Sequence, residues 1–130
     1  MTVAAVVLIA LAALIHVVIF VSESVTWSRP ATWRRFAVAS QAEADVLRPL
    51  ALNQGFYNLF LAVVALVGVA AELAGAHVVG PTLMIVAAAS MTGAGVVLLL
   101  TYPALRRAAL VQLLPPALGL LALGTAALLR

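Results

Sequence analysis

The 130 residues contain no cysteine and no lysine, and charged side chains make up only 8% of them. Without cysteine there is no disulfide framework, no thiolate metal site and no dithiol redox chemistry. Only two histidines occur, and only His16 falls deep inside an apolar run, so no second histidine completes an axial pair for haem. No cofactor and no metal is implied. What the chain has instead is hydrocarbon: 66% of its residues are hydrophobic and its mean hydropathy is +1.24, a membrane composition. The seven cations are all arginines. A pI near 10.7 would suggest nucleic acid for a soluble protein, but the placement of these arginines argues for membrane orientation and against a nucleic-acid partner.

At roughly 20 residues per span, the chain has room for four helices. The expected fold is all-α: a polytopic integral membrane protein, a four-transmembrane-helix bundle with a short interfacial helix between helices 1 and 2. A single membrane domain, 1–130, would place its helices at about 2–24, 50–73, 82–100 and 108–129, with the interfacial segment at about 30–39. The first run has no positive n-region and exceeds the usual length of a signal sequence's apolar stretch, so it reads as a retained helix. In the first connection Pro30 suits a first helical turn, and Trp33, Arg34, Arg35 and Phe36 mix aromatics with cations as a membrane-interface belt does. Pro49 is expected near the start of the second helix, while Glu72 and His77 read as solvated loop residues before the Gly80-Pro81 break.

The centre of the third helix, 87–95, is almost entirely small residues. Ala89 with Gly93, and Ser90 with Ala94, fit the spacing that lets membrane helices approach closely, within the bundle or in a homo-oligomer. It is not a phosphate loop, since no strand precedes it and no lysine follows. In the fourth helix Pro115-Pro116 is expected to kink or interrupt the helix.

Four spans put the first and third connections on one side. Arg29, Arg34, Arg35, Arg48, Arg106 and Arg107 fall there, and only Arg130 falls opposite. The bias predicts a multi-pass protein of the bacterial inner (plasma) membrane with both termini non-cytoplasmic.

The stretch Asn53-Gln54-Gly55-Phe56-Tyr57-Asn58 stands at the cytoplasmic entrance to the second helix, before a long apolar run. Polar groups in such a place need partners, because unsatisfied ones are costly in hydrocarbon. Glu23 ends the first helix at the same depth, Thr101 and Tyr102 end the third there, and Gln112 begins the fourth. His16 lies seven residues before Glu23 on the same face, about 10 Å deeper, with Phe20 and Trp27 on that stripe. All four helices are thus expected to bring polar groups to the cytoplasmic leaflet. The network either clamps the bundle or lines a ligand pocket.

The pattern His16-x-x-x-Phe20-x-x-Glu23, then Trp27, then the 52–62 run around Asn53-Gln54-Gly55-Phe56-Tyr57-Asn58, then Gln112 with its following prolines, is similar to the small membrane proteins of domain of unknown function family 1304. The similarity covers nearly the whole chain. It implies four transmembrane helices of bacterial type and no particular activity. The chain departs from it at Leu113-Leu114, where the family pattern has smaller residues.

Three functions fit these residues. The first is a membrane-embedded acid–base enzyme or binding protein for a lipophilic small molecule, with Glu23 and His16 as proton-transfer groups. Asn53, Gln54, Tyr57, Asn58, Trp27 and Gln112 would then bind the substrate. The second is a proton-coupled exporter of small molecules. The third is an accessory or scaffold subunit whose polar network is purely structural. Membrane lipid is a partner in all three.

Overall fold

The structure, a computed structural model, describes residues 3–129. Thr2, the expected start of the first helix, and Arg130 lie outside them. The described chain is helical, with turns between helices. Helix α1, Val3–Phe20, continues into a π-helical turn, Val21–Val25, closed by the Thr26 N–H on the Val21 carbonyl at 2.9 Å. A short α2, Pro30–Trp33, passes into a 3₁₀ turn, Arg34–Phe36. Then come α3, Gln41–Leu73, α4, Val79–Thr101, and α5, Arg106–Leu128. Helix α1 packs on α3 and α5, and α4 packs on the other sides of α3 and α5, so the four long helices close a ring.

The core of this ring is built from small side chains: Ala5, Ala12 and Ala13 of α1, Ala62 and Ala65 of α3, and Ala87 and Ala88 of α4, with Ile9, Met84, Met91 and Leu123 filling the remaining space. The large apolar residues, Val7, Leu11, Leu14 and Val18 among them, point outward. Water would not tolerate that distribution; lipid does, because tight backbone approach and not hydrophobic burial holds membrane helices together. Four helical segments, Val3–Val25, Gln41–Leu73, Val79–Thr101 and Pro103–Leu128, are long and apolar enough to cross a membrane. The chain therefore has the composition and fold of a four-span membrane bundle.

Helix α3 begins at Gln41 and not near Leu50. The Ser40 hydroxyl accepts the Glu43 N–H at 3.2 Å, the Glu43 carboxylate accepts the Ala39 N–H at 2.9 Å, and Gln41 donates to Asp45 one turn on. These caps start the helix. Pro49 then sits inside it, sacrificing one bond to the Asp45 carbonyl. At 1.5 Å per residue the 33 residues of α3 run about 50 Å, against about 30 Å of hydrocarbon, so its first turns project beyond the bilayer.

The projecting turns carry a second small core. Trp27, Trp33, Val38, Ala44 and Ala51 are buried there, with Phe36 and Leu47 packed on them. The Trp27 indole N–H donates to the Ala44 carbonyl at 2.8 Å. The expected interfacial segment is thus helical, but its tryptophans face α3 instead of forming an outward belt. Trp27→Phe is expected to cost about 1–2 kcal/mol through the lost hydrogen bond and lost packing, read as a lower unfolding midpoint in detergent; an unchanged midpoint would show that this contact contributes nothing.

Helix α5 runs on through Pro115-Pro116, which deprive the Val111 and Gln112 carbonyls of their usual N–H donors. Glu72 also departs from expectation. Its side chain is only 10% exposed, because Gly80 of α4 packs directly on its backbone and Cβ.

Candidate functional site

The inward stripe of α3 reads Ala51, Gly55, Asn58, Ala62 and Ala65, spaced by three or four residues so that all face the bundle. Gly55 makes a close approach to the end of the first span: a Cβ there would collide with the Ser24 hydroxyl and lie 3.1 Å from the Glu23 Cβ. That proximity lets Ser24 donate across to the Leu52 carbonyl at 3.1 Å. One turn further along α3, the Asn58 amide nitrogen donates to Glu23 Oε2 at 3.0 Å and to the Gln54 carbonyl at 3.0 Å, using both of its hydrogens. Phe20 meets Phe56 edge-on at 5.3 Å beside this pair, and Phe56 in turn packs on Phe60.

Glu23 lies within the π-helical turn. Such turns add a residue to the helical cycle and frequently accompany functional sites. Here the turn brings Glu23 and Ser24 together onto α3. Glu23, Ser24, Trp27, Ser28, Arg48 and Leu52 line a cavity of about 90 Å³ on the side of Glu23 that faces the projecting turns. Arg48 lines it without an ion pair to Glu23; among the described residues the one close approach of a basic side chain to a carboxylate is that of His77 to Glu72. The site thus offers a carboxyl group held by an amide, two serine hydroxyls and a guanidinium around a small space. Among the described residues no three His, Cys, Asp or Glu side chains stand together to hold a metal.

The remaining expected site residues distribute differently. His16 is fully buried on α1 and its Nδ1 lies 2.8 Å from the Ala12 carbonyl. A carbonyl only accepts, so Nδ1 carries the proton and Nε2 is left as an acceptor. No hydrogen bond joins His16 to Glu23. Gly119 of α5 packs on Ile9 of α1, and counting seven residues along each antiparallel helix brings Gln112 level with His16. Gln112 is half-buried, and no hydrogen bond links the two.

Asn53, Gln54 and Tyr57 are exposed, and Asn53 and Tyr57 lie off the inward stripe. Each residue of a helix is rotated about 100° from the last, which turns Asn53 and Tyr57 away from Glu23; Gln54, one turn before Asn58, points nearly the same way but its side chain is exposed at the edge of the stripe. Thr101 and Tyr102 are exposed as well, and the Thr101 hydroxyl bonds its own helix at Val97. The polar convergence is therefore made by α1 and α3, and not by all four helices. Ser24, Ser28 and Leu52 are members that residue type alone did not single out, and Arg48, which its depth already places beside Glu23, joins them.

Comparison with curated proteins and comparison with solved structures each give no match. A family model described as a protein of unknown function, DUF1304, matches residues 10–124, a stretch that spans both the Glu23 turn and the α3 stripe, and the chain belongs to that family.

Proposed function

We propose that this protein binds the polar end of a lipophilic small molecule at the Glu23–Asn58 site, in the cytoplasmic leaflet of a bacterial plasma membrane, with Glu23 as the acid–base group. The hydrogen bond from Asn58 to Glu23 beside an open cavity carries this reading. Pockets that enclose whole ligands run to about 300–1,000 Å³. A cavity of about 90 Å³ takes only a small functional group, leaving the ligand's apolar part against the outside of the bundle.

The arginines support the orientation. Arg29, Arg34, Arg35, Arg48, Arg106 and Arg107 all lie at the end of the bundle that holds the site, which the positive-inside bias makes cytoplasmic, with both termini outside. His16 enters the reading as a buried acceptor two turns deeper on the same helix. The Ala89, Ser90, Gly93 and Ala94 face of α4 is exposed among the described residues, which suits it to meet a second copy.

The test is retention. Wild-type protein, Glu23→Gln and Asn58→Leu, each checked for folding by thermal unfolding, are purified in mild detergent and their bound small molecules compared by mass spectrometry. A discrete lipophilic compound held by the wild type and reduced at least about tenfold in both variants, roughly the worth of one good hydrogen bond, is the expected result. Identical retention by all three proteins would sink the proposal.

A further inference from the structure

The other end of the bundle carries a polar pair that the Glu23 site does not use. Glu72 sits in the last turn of α3 and His77 in the turn that follows it. His77 Nδ1 lies 3.1 Å from Glu72 Oε1; the imidazole is 70% exposed, whereas the glutamate side chain is 10% exposed. The second oxygen, Oε2, is buried and has no hydrogen-bond partner among the described residues. A buried carboxylate with one orphaned oxygen is costly. It stays in place because Gly80 is pressed against the Glu72 backbone and Cβ. With Glu72 as acceptor, Nδ1 of His77 carries the proton, and in the neutral ring Nε2 is the free acceptor.

The same imidazole stands at the mouth of an apolar groove of about 380 Å³ between α4 and α5, lined further by Pro81, Ile85, Leu120, Leu123 and Gly124. That volume is within the range of ligand pockets. Ile85 lies eight residues beyond His77, so the groove reaches about 12 Å from the turn toward the bundle centre. Its walls are hydrocarbon, and its one ionisable lining group is His77.

We infer that this groove is a second ligand site, for a single-chain amphiphile with a hydrogen-bond-donating head, a hydroxyl or an ammonium. The alkyl chain lies along α4 and α5, and the head donates to Nε2 of His77. The negative charge of Glu72 behind the imidazole selects the head. It strengthens His77 as an acceptor and repels a carboxylate or phosphate placed at the same point.

The chain has only two histidines, which makes the experiment direct. Full-length protein with ¹⁵N-labelled histidine is placed in phosphatidylcholine nanodiscs and titrated with 1-decanol, decylamine or decanoate while the ring nitrogen signals are followed. The alcohol and the amine are expected to shift the His77 signal saturably and leave buried His16 unmoved. Decanoate should require about tenfold more, the worth of one good hydrogen bond. Gly124→Leu supplies the second arm: a Cβ at Gly124 meets nothing within 4 Å, so the variant folds while its side chain fills the groove. It should raise the half-saturation concentration at least about tenfold. A linear, unsaturable shift would mean partition into the bilayer alone, and an equal response to decanoate would remove the selection by Glu72. A response that survives Gly124→Leu would place the ligand elsewhere. No response at all would mean that bilayer phospholipid or a second copy already fills the groove. Each of these four results overturns the inference.

Discussion

Gly80→Ala is expected to destabilise the bundle by about 3 kcal/mol, the upper part of the usual range for overpacking. A Cβ at that position would lie 2.6 Å from the Glu72 amide nitrogen and 2.7 Å from the Glu72 Cβ. The obstruction includes helix backbone, so no change of rotamer relieves it and α3 must move away from α4. Gly68 repeats the arrangement one turn along the seam, where a Cβ would stand 2.8 Å from the Met84 amide nitrogen. The two glycines are offered from opposite helices, one to each partner, which explains how an alanine-rich core closes without large side chains. Gly93→Ala is the control. It lies on α4 as Gly80 does, but a Cβ there meets nothing within 4 Å. It should be neutral or gain up to about 1 kcal/mol from helix propensity, provided the detergent keeps the protein monomeric. Thermal unfolding of the two variants separates the cases, and equal midpoints would refute the close approach of α3 and α4. Gly80→Ala should also release Glu72 and with it the His77 pair.

The spans were legible because lipid imposes a simple requirement, and four apolar runs with arginines between them meet it. The start of α3 was less so. Ser40-x-x-Glu43 is a capping box and announces a helix at Gln41. Pro49 competes with it as a boundary, and only the structure shows that the caps prevail and the proline is carried inside. That one shift explains the tryptophans: without the projecting turns of α3 there is nothing for Trp27 and Trp33 to pack on, and a belt is the natural reading. At the site, Glu23 and Asn58 were within reach of periodicity, since both end up on inward stripes. Asn53 and Tyr57 were grouped with them by proximity in sequence, whereas Gln54 does share the face of Asn58 one turn earlier, with its side chain exposed. The π-helical turn that presents Glu23 left no mark in the sequence, because one extra residue per turn has no compositional signature. Glu72 was hidden for a similar reason. A glutamate before Gly75 and His77 looks like a loop residue until Gly80 is seen lying on it.

Glu23 is where function and fold should separate. The Asn58 donor is satisfied by any oxygen with a free lone pair, whether of a carboxylate, of a carboxylic acid's carbonyl or of an amide. Glu23→Gln therefore keeps the 3.0 Å bond and should change stability by less than about 1 kcal/mol. It removes the site's proton-exchanging carboxyl, so any turnover that depends on proton transfer should fall by about 10²–10⁴. Asn58→Leu does the reverse: it deprives Glu23 of its donor at a part-buried position and should cost about 1.5–3 kcal/mol. Arg48 decides between this account and a purely structural one. It lines the cavity beside Glu23 yet makes no ion pair with it. A double-mutant cycle of Glu23→Ala with Asn58→Ala should give a coupling above about 1 kcal/mol, and the cycle of Glu23→Ala with Arg48→Ala a coupling below that, as for screened pairs. The opposite order, with Arg48 coupled more strongly than Asn58, would make Glu23 a charge-paired anchor of the helix end. The acid–base role proposed for it would then fail.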